Sequence, residues 1–186
     1  MNGQFIRSAF DDTLVIDVMS GKATPGAPLQ VWRIKEDPHS AALTMHGVKE
    51  PDNQLWNITA GPLEGAVFIE IGLADDLVIV VKGGKGEPAT PLQLGEKAGG
   101  ADSGSGGIES RVWRLTAVDA ENDEALEGRR GTFIQSMLEP DLVIEISGGR
   151  NEPGTALQVG VKRPSGSAEE VRRARSQLWL LGAAQK

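Results

Sequence analysis

Residues 14–32 read LVIDVMSGKATPGAPLQVW. The opening run, Leu14-Val15-Ile16, is rich in β-branched residues that suit a pleated, half-buried strand, and it carries one carboxylate, Asp17. A turn rich in glycine and proline follows. A second apolar run, Leu29-Gln30-Val31, then delivers an aromatic residue, Trp32. The stretch returns twice at the same length and without a gap: residues 77–95 read LVIVVKGGKGEPATPLQLG, and residues 142–160 read LVIEISGGRNEPGTALQVG. The first copy ends on Trp32, whereas the other two end on Gly95 and Gly160.

Self-similarity extends beyond these stretches. Phe5-Ile6, Phe68-Ile69 and Phe133-Ile134 precede the three runs by one common offset, and each copy closes on a tryptophan, in Gln54-Leu55-Trp56, Arg111-Val112-Trp113 and Gln177-Leu178-Trp179. A repeat at a fixed period is the signature of a repeated supersecondary unit, here about 65 residues long. The first copy holds four short apolar runs, FIRS, LVIDV, LQVW and QLWNI, separated by Asp11-Asp12, Gly21, Pro25-Gly26 and Pro51-Asp52-Asn53. Short strands with regular turn signals predict an all-β barrel or sandwich of about twelve strands. No long stretch has helical periodicity, and the best helical candidate is the short run 168–175.

With 186 residues the chain is long enough for one domain with a sizeable core. The expected organisation is a single domain over 1–186, with copies at roughly 1–62, 63–127 and 128–186. The net charge of −7 and pI near 4.9 argue against a nucleic-acid binder or an anionic-membrane binder. Arg172-Arg173-Ala174-Arg175 runs against that trend and reads as a solvated face. No apolar stretch approaches the roughly 20 residues that cross a bilayer, so membrane insertion is not expected. The start MNGQFIRSAFDD lacks an apolar signal region and the chain lacks cysteine. Both point to a cytoplasmic protein, with non-classical release as a route outward.

Catalytic, metal and cofactor chemistry find little support. His39 and His46 have neither cysteines nor paired carboxylates beside them to complete a zinc site. The serines fall in turns and Gly-Ser loops, and no GxSxG is present. Asp11-Asp12 and Asp75-Asp76 fall just before LVI strands, where turn duty explains them better than glycosidase chemistry. GGKGEPATP lacks the GK[ST] ending of a phosphate loop and precedes a strand. The expectation is a non-catalytic protein without metal or cofactor.

The threefold Q-x-W pattern, intact in two copies and altered at Arg111-Val112-Trp113, resembles that of the ricin B-type lectins over nearly the whole chain. The resemblance implies a β-trefoil with Trp56, Trp113 and Trp179 in its core. It also implies a sugar pocket in the first copy. There Asp17 accepts hydrogen bonds from vicinal hydroxyls, Trp32 stacks on the sugar ring, and Asn53 fixes a hydroxyl. Gln30 lines the pocket, and Gln54 braces the carboxylate. These types suit a sugar: an aromatic face covers its C–H patch, while a carboxylate and an amide satisfy the hydroxyl edge.

The second copy offers Val80, Gly95 and Ser110-Arg111, and the third Glu145, Gly160 and Ser176-Gln177. One pocket is therefore expected, with glycans ending in galactose or N-acetylgalactosamine as the implied partners. Useful avidity from one weak site needs an oligomer or several copies on one particle. Segment 33–52 is longer than the family's usual connection, and it either extends the site or lies across Trp32. Asp17 reads as a surface residue whose replacement costs less than about 0.5 kcal/mol. Readings of another class are a β-trefoil protease inhibitor acting through surface loops 36–50, 98–107 and 164–175, or a module that docks a protein partner.

Overall fold

The computed structural model describes residues 3–35, 52–99, 106–119 and 125–182. The insertion 36–50 with His39 and His46 lies outside the described residues, as do parts of the loops 98–107 and 120–131.

Among the described residues, twelve strands form in three sets of four. The first copy supplies β1 (Ile6–Ser8), β2 (Leu14–Val18), β3 (Leu29–Arg33) and β4 (Trp56–Ala60). The second supplies β5 (Val67–Ile71), β6 (Leu77–Val81), β7 (Leu92–Glu96) and β8 (Trp113–Ala117). The third supplies β9 (Thr132–Ser136), β10 (Leu142–Ile146), β11 (Leu157–Val161) and β12 (Leu178–Leu181).

The first and last strands of each copy close a ring. β1 pairs β12, β12 pairs β9, β9 pairs β8, β8 pairs β5 and β5 pairs β4, all antiparallel. Reciprocal bonds of 2.9 Å between Gln4 and Trp56 join β4 back to the first copy's start. Closure removes the unpaired edges that an open sheet would expose. The middle strands of each copy form hairpins, β2–β3, β6–β7 and β10–β11.

The three hairpins interlock in a cycle. Gly26 N–H donates to Leu94 O, and Leu94 N–H donates to Ala27 O. Ala89 and Thr90 meet Val159 in the same way, and Gly154 and Thr155 meet Val31. Each turn thus docks on the third strand of the next copy, and the third copy's turn lands beside Trp32.

Period-two alternation decides what each hairpin buries. Leu14, Ile16, Val18, Leu29 and Val31 join the central cluster with their counterparts from the other copies. Trp56, Trp113 and Trp179 are 0% exposed within it. Their indole N–H groups donate to Ile16 O, Ile79 O and Ile144 O at 3.0, 3.0 and 3.1 Å. A buried tryptophan needs such an acceptor, and each copy supplies it from the middle of its LVI strand.

The closing motif differs from its strand-like reading. Gln54, Arg111 and Gln177 sit in short 3₁₀ turns just before their strands. Their side chains turn inward and donate to the carbonyl ending the copy's third strand: Arg33 O at 3.0 Å, Glu96 O at 3.4 Å and Val161 O at 2.8 Å. The altered Arg111 keeps this bond, so the second copy folds without its glutamine. The short run in the third copy is helical, as expected: α1 (Ala168–Arg173) is capped by Ser167, which accepts from Glu170 N–H at 3.3 Å.

Candidate functional site

The outer face of the β2–β3 hairpin carries Val15 and Asp17 on one strand, with Gln30 and Trp32 on the other. Val15 pairs Trp32 across the ladder, and Asp17 pairs Gln30. That register places the carboxylate directly opposite the glutamine and diagonal to the aromatic, within reach of a long side chain. The 3₁₀ turn Asp52–Gln54 then brings two amides over the same spot.

Four of the five sequence-predicted residues, Asp17, Gln30, Asn53 and Gln54, come together in one hydrogen-bonded cluster, and Trp32 stands on the same hairpin face. Gln30 Nε2 donates to Asp17 Oδ1 at 2.8 Å. Asn53 Nδ2 and Gln54 Nε2 donate to Asp17 Oδ2 at 2.8 and 3.0 Å. Asn53 Nδ2 also reaches Val18 O at 3.2 Å, which ties the amide to the turn after β2. Gln54 Oε1 accepts from Lys35 N–H at 2.8 Å, so Gln54 braces both the carboxylate and the departing chain.

The surface reading of Asp17 is corrected. Asp17 is 2% exposed, enclosed by three amides that each give it a hydrogen bond. An exposed carboxylate would be solvated by water; this one is solvated by side chains. By contrast Trp32 is 41% exposed while the three core tryptophans are fully covered.

Trp32 leans on the third copy. A Cβ added to Gly154 would lie 3.3 Å from Trp32 Cζ3, and Gly154 has φ +90°. The turn that carries it lines an open hollow of about 430 Å³ with Arg150, Glu152, Pro153 and Thr155. The aromatic's surroundings therefore come from two copies.

The other two copies explain their missing aromatics sterically. A Cβ at Gly95 would meet both Val80 methyl groups at 2.8 Å. A Cβ at Gly160 would fall 2.1 Å from Glu145 Cδ, because the longer acid extends over that position. Asp17 is short enough to leave the space for Trp32. The third copy nevertheless repeats the polar network: Gln158 and Gln177 donate to Glu145 at 2.8 and 2.9 Å. A carboxylate held by glutamines therefore serves the fold in two copies, and the exposed aromatic belongs to one.

Sequence reasoning missed the cation in this network. Lys35 Nζ donates to Asn53 Oδ1 at 2.5 Å and lies 3.7 Å from Asp17 Oδ2. In the third copy Arg163 lies 3.9 Å from Glu145 Oε2. The second copy has Val80 for the acid and Ala98 at the cation's position. The signal was in the sequence: the basic residue follows each acid at one common spacing and is absent where the acid is absent.

Turn duty is visible for one of the paired acids, Asp11. Asp11 Oδ1 accepts from the Thr13 amide and hydroxyl at 2.9 and 2.7 Å. The hydroxyl bond is the main reason its carboxyl titrates below the ordinary value, with the amide and Arg33 adding to it.

No family model matches the sequence, and no curated protein matches it. Solved structures do match the fold. A designed 3-fold symmetric protein, ThreeFoil, aligns with TM-score 0.67 and 13% identity over 97% of this chain and 98% of its own. The earthworm R-type lectin C-half in complex with GalNAc aligns with TM-score 0.59 and 15% identity, covering 99% of this chain and 100% of its own. The fold is a β-trefoil. A mosquitocidal holotoxin also contains it, at TM-score 0.67 and 14% identity over all of this chain, which spans 18% of the toxin chain. At these identities the trefoil likeness is one of fold, and the site must be argued from its own residues.

Proposed function

We propose that this trefoil is a non-catalytic carbohydrate-binding protein with one pocket, in its first copy, for a galactose-type or N-acetylgalactosamine-type sugar. One observation carries the reading. Trp32 is the lone exposed ring among four tryptophans, and it stands on the same hairpin face as a carboxylate–amide cluster. A core tryptophan needs burial and an acceptor for its N–H; Trp32 is left with neither the burial nor the position of the other three. An exposed indole beside polar groups matches the amphipathic surface of a sugar, whose C–H patch adjoins a rim of hydroxyls.

Trp32 provides the stacking face. Asn53 and Gln30 line the polar side of the proposed pocket, and Asp17 holds both through the hydrogen bonds it accepts. Gln54 holds the carboxylate in place from the far side. Lectin neighbours such as the earthworm protein in complex with GalNAc support this class of ligand. A single site of this kind binds weakly, with a constant of sub-millimolar to millimolar order, or roughly 4–5 kcal/mol.

Titration of galactose and N-acetylgalactosamine against intrinsic tryptophan fluorescence tests the reading. With three rings fully enclosed, the response comes from Trp32 and disappears in Trp32→Ala. A wild-type signal unchanged up to high millimolar sugar, together with a blank glycan panel, would contradict it.

A further inference from the structure

Lys35 is the polar group at the site that stacking and amide recognition do not use. Its side chain is 39% exposed, and its ammonium touches Asn53 Oδ1 and approaches Asp17 Oδ2. Those contacts change what the pocket offers a ligand. A carboxylate has about four lone-pair positions. Three amide N–H bonds already occupy Asp17, and Lys35 faces the same oxygen that takes two of them. Asn53 gives Nδ2 to Asp17 and Val18, while its carbonyl is taken by Lys35. The acceptors of Asp17 and Asn53 are therefore engaged. An ammonium has three N–H donors. Among the described residues, Lys35 Nζ meets just Asn53 and Asp17.

The third copy provides the contrast. Arg163 donates to Ser176 Oγ at 2.8 Å and to Arg173 O at 3.1 Å, so its guanidinium is turned onto the protein. No ring stands at Gly160 for a ligand to stack on. Among the described residues, the first copy puts a cation on the acid–amide cluster that shares a hairpin face with the exposed Trp32.

We propose, on the basis of the sugar-binding reading above, that this pocket selects a galactose-type sugar bearing an anionic group, a carboxylate or a sulfate ester, and that Lys35 is the residue that determines this specificity. The anion draws the ammonium away from Asn53, since a charge-assisted bond to an anion is stronger than one to a neutral carbonyl. The freed Asn53 Oδ1 then accepts a sugar hydroxyl. A neutral sugar gives Lys35 no equal partner, so the carbonyl stays blocked.

Calorimetric titration at fixed ionic strength tests this with galactose, galacturonate, the methyl ester of galacturonate and galactose 6-sulfate. Wild type is expected to bind at least one of the two anionic sugars about tenfold more tightly than galactose. Which of them gains tells carboxylate from sulfate recognition. The methyl ester is expected to fall back to the level of galactose. Lys35→Met removes the preference, and Lys35→Arg retains it. Equal affinity for galactose and both anionic sugars in wild type would overturn the specificity while leaving the sugar site standing. A preference for the anionic sugars that persists in Lys35→Met would overturn it too. Absence of any sugar binding, anionic or neutral, would remove the site and the inference together.

Discussion

Asp17 concentrates the tension between folding and binding in one residue. It is buried, and three amides from β3 and the Asp52–Gln54 turn converge on it. Removing its charge leaves those donors facing a poorer acceptor, and a buried donor without its partner costs about 1–3 kcal/mol. Asp17→Asn is therefore expected to lose about that much stability, read from a urea midpoint. This exceeds the near-neutral cost that a surface position would show. Loss of sugar binding in this variant is informative only when the folded fraction is measured alongside. The neighbouring Trp32 is expected to behave oppositely: its ring is 41% exposed, so Trp32→Ala should remove the proposed sugar binding with little change in the midpoint.

At the scale of elements, the turn of one copy sets the site of another. Gly154 ends the third copy's turn with φ +90°, a backbone that side chains rarely adopt. A methyl group there would press on Trp32 Cζ3 at 3.3 Å. Gly154→Ala is expected to cost about 1 kcal/mol through the backbone and to shift the Trp32 emission before any ligand is added. A fluorescence spectrum and a thermal melt check both. The matching turn of the second copy carries Ala89 at φ +67° and meets no ring, since Gly160 stands opposite.

These elements also show what the sequence could and could not tell. The strands were legible because LVI, Leu-Gln-x and the closing tryptophan recur in register, and repetition separates folding constraints from local accident. The grouping of Asp17, Gln30, Trp32, Asn53 and Gln54 was legible because Asp17, Trp32 and Asn53 coincide in the first copy alone, while the glutamines recur beside Glu145 in the third. Burial of Asp17 was not legible, because alternation along β2 shows which face a residue takes, and the amides that cover that face arrive from the distant Asp52–Gln54 turn. The partnership of Lys35 with Asp17 was traceable in the common acid-to-base spacing of the first and third copies, whereas its contact with Asn53 joins positions that no repeat links.

Across the whole molecule, the closed barrel and the cyclic interlock of hairpins tie the three copies into one cooperative unit. No copy buries its hairpin face alone, because each turn docks on the next copy's third strand. Trp56, Trp113 and Trp179 occupy equivalent places with equivalent acceptors. Replacing any one by alanine is expected to cost about 3–5 kcal/mol and to move the whole unfolding transition. One shared transition in urea, seen by fluorescence and circular dichroism together, checks this. The fold thus keeps its symmetry in the core and breaks it on one hairpin face, where Asp17 leaves room for Trp32.

That broken symmetry is measured most directly by the indole N–H resonances of the four tryptophans, recorded by ¹H–¹⁵N correlation during titration with galactose and galacturonate. The Trp32 resonance, assigned by its absence in Trp32→Phe, is expected to move with saturating dependence on sugar. Those of Trp56, Trp113 and Trp179 should stay in place. An unmoved Trp32 resonance at high millimolar concentrations of both sugars, or shifts confined to the third copy around Glu145 and Gly160, would contradict a single sugar pocket in the first copy.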